Sequence, residues 1–216
     1  MSDIQQIFLD LDGPLLDGKE RHYFCYRSIL ERFGFRPIGI DEYWENKRAG
    51  GNRKDLLHMS GAGEIYDDFL SAWLALIESP EVLALDKVQE GAVDCLRGWK
   101  EQGIELVLVT LRKDRQAVEE QLTRLKLRPL LDAVLVCAHA DGGGGKADAI
   151  RKMFPGSSFE ENALWIGDTE VDWEAARSLG CNIVLVANGL RSEEYLGALK
   201  SAMIVPSISS ITLSHE

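Results

Sequence analysis

Short apolar runs occur at residues 4–9, 104–109, 133–136, 163–166 and 182–186, each rich in Val, Ile or Leu and poor in charge. Strands covered on both faces read this way, because neither face needs the polar alternation of a half-solvated strand. Residues 87–102, 113–125, 146–153 and 171–179 carry apolar positions at helical spacing between those runs. Strands alternating with helices of this length predict an α/β layer fold built on a parallel sheet. Gly103 and Gly180 each stand just ahead of a run, where a helix ending in a left-handed residue places a glycine.

Residues 15–87 break the alternation. Helical patterns near 21–33, 41–47 and 65–78 come with Tyr23, Phe24, Phe33, Tyr43, Trp44, Phe69 and Trp73, enough aromatic side chains for a separate small core. With no good strand candidate among them, these residues predict an inserted helical unit. Residues 48–54, which include Gly50 and Gly51, are expected to form a loop within it, and Pro80 lies close to the return into the main unit. No internal repeat is visible, and the only low-complexity tract is 142–145. The weakly patterned end, 207–216, is expected to be a short strand or a mobile tail.

Composition narrows the function class. A chain of 216 residues, 45% hydrophobic and 27% charged, can bury one sizeable core plus a small insertion. Its 24 Lys and Arg against 35 Asp and Glu leave a net charge of -11, whose field repels nucleic acid and anionic membranes while permitting a local basic pocket. The four cysteines have no CxxC spacing, so neither a zinc site nor a disulfide scaffold is expected, and reduced thiols fit a cytoplasmic setting. The first residues lack a signal pattern, and no apolar run approaches the roughly 20 residues that span a bilayer. The expectation is therefore a cytoplasmic protein with no export and no membrane span. Monomer and homodimer both remain open, since Trp44, Trp73, Trp99, Trp165 and Trp173 suit a core or an interface.

Candidate chemistry lies just after the strands. Asp10 with Asp12, Thr110, Lys146, and Asp168 with Asp172 would gather at one edge of a parallel sheet, where such sheets bind ligands. Carboxylates collected in this way repel one another unless a cation sits among them, and Asp with carbonyl oxygen suits Mg²⁺. Each residue also has a plainer reading: Asp10 and Asp12 as turn formers, Thr110, Asp168 and Asp172 as helix caps, Lys146 as a surface side chain. A Walker A loop is excluded, because position 140 is Ala and Lys146 is followed by Ala147. Arg112 is a further anion-binding candidate or a surface residue at a helix start. His22, His58, His139 and His215 read as core or surface residues, and Cys25, Cys95 and Cys137 as packing residues.

The set Asp10-Leu11-Asp12-Gly13, Thr110, Lys146 and Gly167-Asp168-Thr169-Glu170-Val171-Asp172 resembles, in order, the four motifs of the haloacid dehalogenase superfamily. The resemblance is to its capped phosphatase branch, that of phosphoglycolate phosphatases and β-phosphoglucomutase-like hydrolases. It implies a three-layer Rossmann-like core over 1–14 and 88–216 and an inserted all-helical cap of the first type over 15–87. It also implies that Asp10 is the nucleophile forming an aspartyl-phosphate, and that Asp12 protonates the leaving oxygen and then activates water. Asp10, Asp168 and the Asp12 carbonyl would hold Mg²⁺, Asp172 would orient metal-bound water or Lys146, and Thr110 and Lys146 would bind the phosphoryl group.

Asp12 favours phosphate-ester chemistry, because the family's dehalogenases and phosphonate hydrolases lack this second carboxylate. The chain departs from the usual pattern at Pro14, where Thr is common, and at Leu111-Arg112, where a small or amide residue is frequent. Residues 50–55 look like the substrate-specificity loop of capped phosphatases, so Arg48, Arg53 and Lys54 are candidates for a second anionic group; ordinary solvated side chains are the alternative. Related mutases carry Lys at the position of Ala49, which shifts the expectation toward hydrolysis. The resulting reading is Mg²⁺-dependent hydrolysis of a small phosphorylated metabolite, with no nucleic-acid or membrane partner. A sugar-phosphate mutase and a catalytically idle metabolite-binding or scaffold protein are the alternatives.

Overall fold

The computed structural model describes residues 4–138, 140, 142–200 and 202–213. In chain order the elements are β1 (Gln6–Leu9), β2 (Leu16–Asp17), α1 (Lys19–Arg32), α2 (Ile40–Arg48), α3 (Arg53–Met59), α4 (Tyr66–Leu76), α5 (Pro80–Leu83) and β3 (Lys87–Val88). There follow α6 (Ala92–Glu101), β4 (Glu105–Thr110), α7 (Arg115–Arg124), β5 (Ala133–Val136), α8 (Gly142–Met153) and β6 (Ala163–Gly167). The chain continues through α9 (Glu170–Leu179), β7 (Asn182–Val186), α10 (Glu193–Leu196) and β8 (Met203–Val205).

The main sheet has six strands in the order β5-β4-β1-β6-β7-β8, paired in parallel throughout. Strand periodicity sends successive side chains to opposite faces. Ile7, Leu9, Leu106, Leu108, Leu164, Ile166, Val184 and Val186 pack on one face with Leu96 and Trp99 of α6 and Val118 and Leu122 of α7. Phe8, Val107, Val109, Trp165, Ile183 and Leu185 pack on the other with Ile150 of α8 and Ala175 and Ala176 of α9. Both faces are thus covered, which is why the strands read as continuous apolar runs. Burial at the C-terminal end is maintained by Ile208, which joins the first of these cores.

Contacts divide the chain into two units, one comprising Met1–Leu16 and Val88–Glu216, the other Asp17–Lys87. The second unit is helical, and its own core contains Tyr26, Tyr43, Leu56, Leu57, Phe69 and Trp73, with the Tyr26 and Tyr43 rings 4.7 Å apart. Arg21 and Asp86 form a buried ion pair in this unit at 2.8 Å.

Three local expectations need correction. Residues 87–102 do not form one helix: Lys87–Val88 pair with β2 in a two-stranded ribbon, and the helix begins at Ala92. Residues 48–54 are not a single loop, because Arg48 ends α2 and Arg53 opens α3. Asn52 caps α3 by accepting from Lys54 N and Asp55 N at 2.8 and 3.2 Å, and Asp55 Oδ2 accepts from Asn52 N at 3.1 Å. Helix α8 includes the glycine run rather than starting at Lys146. Among the described residues no helix is long and apolar enough to cross a membrane.

Candidate active site

Strand order reverses at β1, which lies between β4 and β6, and a crevice opens beyond the strand ends at such a point. Asp10 follows β1 directly, and its N–H still continues the sheet ladder to Ile166 O at 2.9 Å. The chain then turns at Gly13, whose φ of +113° suits glycine and whose position leaves no room for a Cβ beside the Asp168 carboxylate.

Lys146 reaches this edge from α8. Gly143 makes that possible: a Cβ there would lie 2.5 Å from Val171 O and 2.7 Å from Glu174 Cβ, so only glycine lets α8 sit this close to α9. The buried Nζ of Lys146 donates to Asp10 Oδ1 at 2.8 Å and to Asp172 Oδ1 at 2.7 Å. Asp172 performs two tasks with separate oxygens. Its Oδ2 caps α9, accepting from Thr169 Oγ1 at 2.8 Å and from the Thr169 and Asp168 N–H groups at 3.2 Å. Its Oδ1 takes Lys146 and, at 3.3 Å, the Trp165 Nε1–H.

Asp168 is fully buried in a slot between Gly13 and Gly189, neither of which could carry a Cβ without striking its carboxylate. Leu190 N–H donates to Asp168 Oδ2 at 2.5 Å, while Oδ1 is buried and has no hydrogen-bond partner among the described residues. Burial holds the Asp168 carboxyl well above its ordinary range, and Asp172 and Asp10 reinforce the shift. Burial likewise pushes Asp10 up to about 7; the Lys146 ammonium opposes the rise, and Asp172 and Asp12 add to it. Burial works against the charge of Lys146, but the Asp10 and Asp172 carboxylates outweigh it and hold the ammonium above its ordinary value.

Three buried carboxylates therefore face one ammonium, with oxygens of Asp10, Asp168 and Asp172 all within 4.8 Å of one another. An all-carboxylate donor set with a negative excess suits a hard divalent cation, and the unpartnered Asp168 Oδ1 fits it as a ligand. The oxygens of Asp172 are taken by Lys146, Trp165, Thr169 and the Asp168 N–H. Asp10 and Asp168 are accordingly the side chains that could hold the cation directly.

The remaining expected residues divide. Thr110 ends β4, next to β1, and is buried. Arg112 pairs with both oxygens of Asp12, and Asp12 is close enough to Asp10 to add to the rise of its carboxyl. Arg48, Arg53 and Lys54 belong to the helical unit, where the Arg53 guanidinium lies 5.3 Å from the Trp73 ring and Lys54 Nζ 4.9 Å from the Tyr66 ring. His22 and His58 also lie in that unit, while His139 and His215 fall outside the described residues. Burial pushes the Cys25 and Cys181 thiols up to about 12, which makes them poor nucleophiles.

Sequence reasoning missed several residues that shape the site. Trp165 reads in the sequence as a core or interface residue, yet its indole N–H meets Asp172 and its ring lies 5.9 Å from Lys146 Nζ. Gly189 and Leu190 hold Asp168 without any motif to announce them. Only the α3 start had a legible signal, since Asn52-Arg53-Lys54-Asp55 has the spacing of a capping box.

The family model described as haloacid dehalogenase-like hydrolase matches residues 7–186. Phosphoglycolate phosphatase 1 of Pseudomonas aeruginosa is 27% identical over 199 residues, covering 85% of this chain and 69% of that protein. Phosphoglycolate phosphatase of Rhodobacter capsulatus is 23% identical, covering 86% and 85%. A crystal structure from Haemophilus somnus, described as a predicted phosphoglycolate phosphatase, superposes with a TM-score of 0.75 at 18% identity, covering 97% of this chain and 96% of that one. At that identity the likeness is one of fold.

Proposed function

Because the chain belongs to the haloacid dehalogenase-like hydrolases, we propose that it hydrolyses a small phosphate monoester by way of a phosphorylated Asp10. The observation that carries this reading is the meeting of Asp10 and Asp168, the latter with an unpartnered oxygen, beside Lys146 in one buried cleft.

In the first step an Asp10 oxygen bonds to phosphorus while the bond from phosphorus to the ester oxygen breaks, and Asp12 delivers a proton to that oxygen. In the second, Asp12 accepts a proton from water as the water oxygen attacks phosphorus; the bond to Asp10 breaks and inorganic phosphate leaves. Lys146 and Thr110 hold the phosphoryl oxygens through both steps and offset their charge. Asp172 keeps Lys146 aimed at Asp10. Asp10 and Asp168 would hold a cation, Mg²⁺ by its preference for hard oxygen donors, and it would supply further positive charge to offset that of the phosphoryl group.

Arg48, Arg53 and Lys54 of the helical unit are the groups assigned to the rest of the substrate. The relatives named phosphoglycolate phosphatases make a short, carboxylate-bearing ester the first substrate to try. The test is phosphate release from a panel of phosphorylated metabolites with Mg²⁺ and with EDTA, beside Asp10→Asn. Metal-dependent release lost in the variant is expected. Isomerised product without free phosphate would replace this reading with a mutase, and binding without turnover would replace it with a binding role.

A further inference from the structure

Arg112 is buried to 3% exposure at the end of β4, where a surface cation or a substrate-binding side chain was the expectation. Its Nε donates to Asp12 Oδ2 and its Nη2 to Asp12 Oδ1, both at 2.7 Å. Such a fork fixes the plane of a carboxylate as well as its distance, which a single ammonium cannot do. The Asp12 backbone has other supports: Gly13 N–H donates to Leu16 O at 2.9 Å, and Gln89 Nε2 donates to Gly13 O at 3.0 Å. These hold the main chain of the turn, whereas the Arg112 fork acts on the Asp12 side chain, which is 19% exposed.

We infer that Arg112 is the positioning residue of Asp12: it sets the direction in which that carboxylate meets the reacting oxygen, and it is committed to this task rather than to substrate. The inference rests on the assignment of Asp12 proposed above. Its physical content is that a proton carrier works only within hydrogen-bond reach of its target, and that misplacement by about 1 Å costs roughly 100-fold in rate. Arg112 also answers the unusual Leu111-Arg112 sequence, since a guanidinium at this position reaches a carboxylate 100 residues away in the chain.

Steady-state kinetics of the metal-loaded protein on its best ester test the inference, with Arg112→Ala and Arg112→Lys compared in the wild-type and Asp12→Ala backgrounds. The expected result is a kcat lowered roughly 100-fold by Arg112→Ala with KM unchanged, and little recovery in Arg112→Lys. Added methylguanidinium should restore part of the loss in Arg112→Ala. In the Asp12→Ala background the loss of Arg112 should cost nothing further, because it acts only through the missing carboxylate.

A raised KM with kcat intact would overturn the inference by making Arg112 a substrate-binding group, as would losses that multiply in the double variant. If Arg112→Ala fails to fold, Arg112→Lys carries the same kcat-against-KM comparison. Wild-type protein that releases no phosphate from any ester overturns the function itself and the inference with it, an outcome distinct from an active enzyme indifferent to Arg112.

Discussion

Arg191 and Glu170 face each other through two hydrogen bonds, Nε to Oε2 at 2.9 Å and Nη2 to Oε1 at 2.6 Å. Glu170 lies two residues after Asp168 and Arg191 one residue after Leu190, so the pair joins the two segments that the Leu190 N–H to Asp168 hydrogen bond also joins. Burial opposes ionisation of Glu170, but the Arg191 guanidinium outweighs it and holds the carboxyl below its usual range.

Loss of this strap should loosen Asp168 without removing it. Glu170→Ala and Arg191→Ala are expected to weaken divalent-ion binding about 10-fold, the lower end of what partners behind a metal ligand contribute. Calorimetric titration with Mg²⁺ and with Mn²⁺ measures this directly. Affinity equal to wild type in both variants would show that the slot between Gly13 and Gly189 positions Asp168 by itself.

Asp172→Ala should be among the most destabilising single changes in the main unit. It leaves Lys146 buried beside Asp10 alone and removes the Asp172 half of the α9 capping box; breaking a buried ion pair costs about 3–5 kcal/mol. Asp172→Asn, which keeps an acceptor for Thr169, should lose less. Urea unfolding of the two variants checks the order, and a loss below about 1 kcal/mol in Asp172→Ala would mean that Lys146 escapes to solvent.

The raised carboxyls make stability depend on pH and on metal. Without a cation, the native protein holds on Asp10 a proton that the unfolded chain releases near 3.8, so Asp10 disfavours the folded state increasingly as pH rises from that value to about 7. Asp168 acts in the same direction. A cation bound between Asp10 and Asp168 would remove this penalty by taking the place of the protons. The rise in Tm on adding Mg²⁺ to EDTA-treated protein should therefore grow between about pH 5 and about pH 8. An increment that stays constant over that interval, followed by thermal shift, counts against a shared cation and proton site.

Two neighbouring glycines of α8 should respond oppositely to the same substitution. Gly143→Ala drives a methyl into Val171 O and Glu174 of α9, an overpacking that costs about 1–3 kcal/mol. Gly144→Ala meets nothing within 4 Å and should gain about 1 kcal/mol from the better helix former. Thermal unfolding of the two proteins side by side distinguishes close packing from a generally flexible tract.

The amino-acid order by itself determined where the strands end and which polar residues stand there. Both are local: a doubly covered strand must be apolar along its length, so Asp10, Thr110 and Asp168 stand out at the first positions where charge or hydroxyl is tolerated. It was silent on partners, because hydrogen bonds between residues far apart leave no periodicity. Capping and lysine binding by Asp172 read as alternatives in the sequence, yet two oxygens of one carboxylate satisfy both. Arg112 read in the sequence as an anion-binding candidate or a surface residue at a helix start, and neither reading pointed to Asp12. Only the folded chain brings Arg112 within 2.7 Å of both Asp12 oxygens, and a guanidinium buried at that edge has to be matched by a carboxylate.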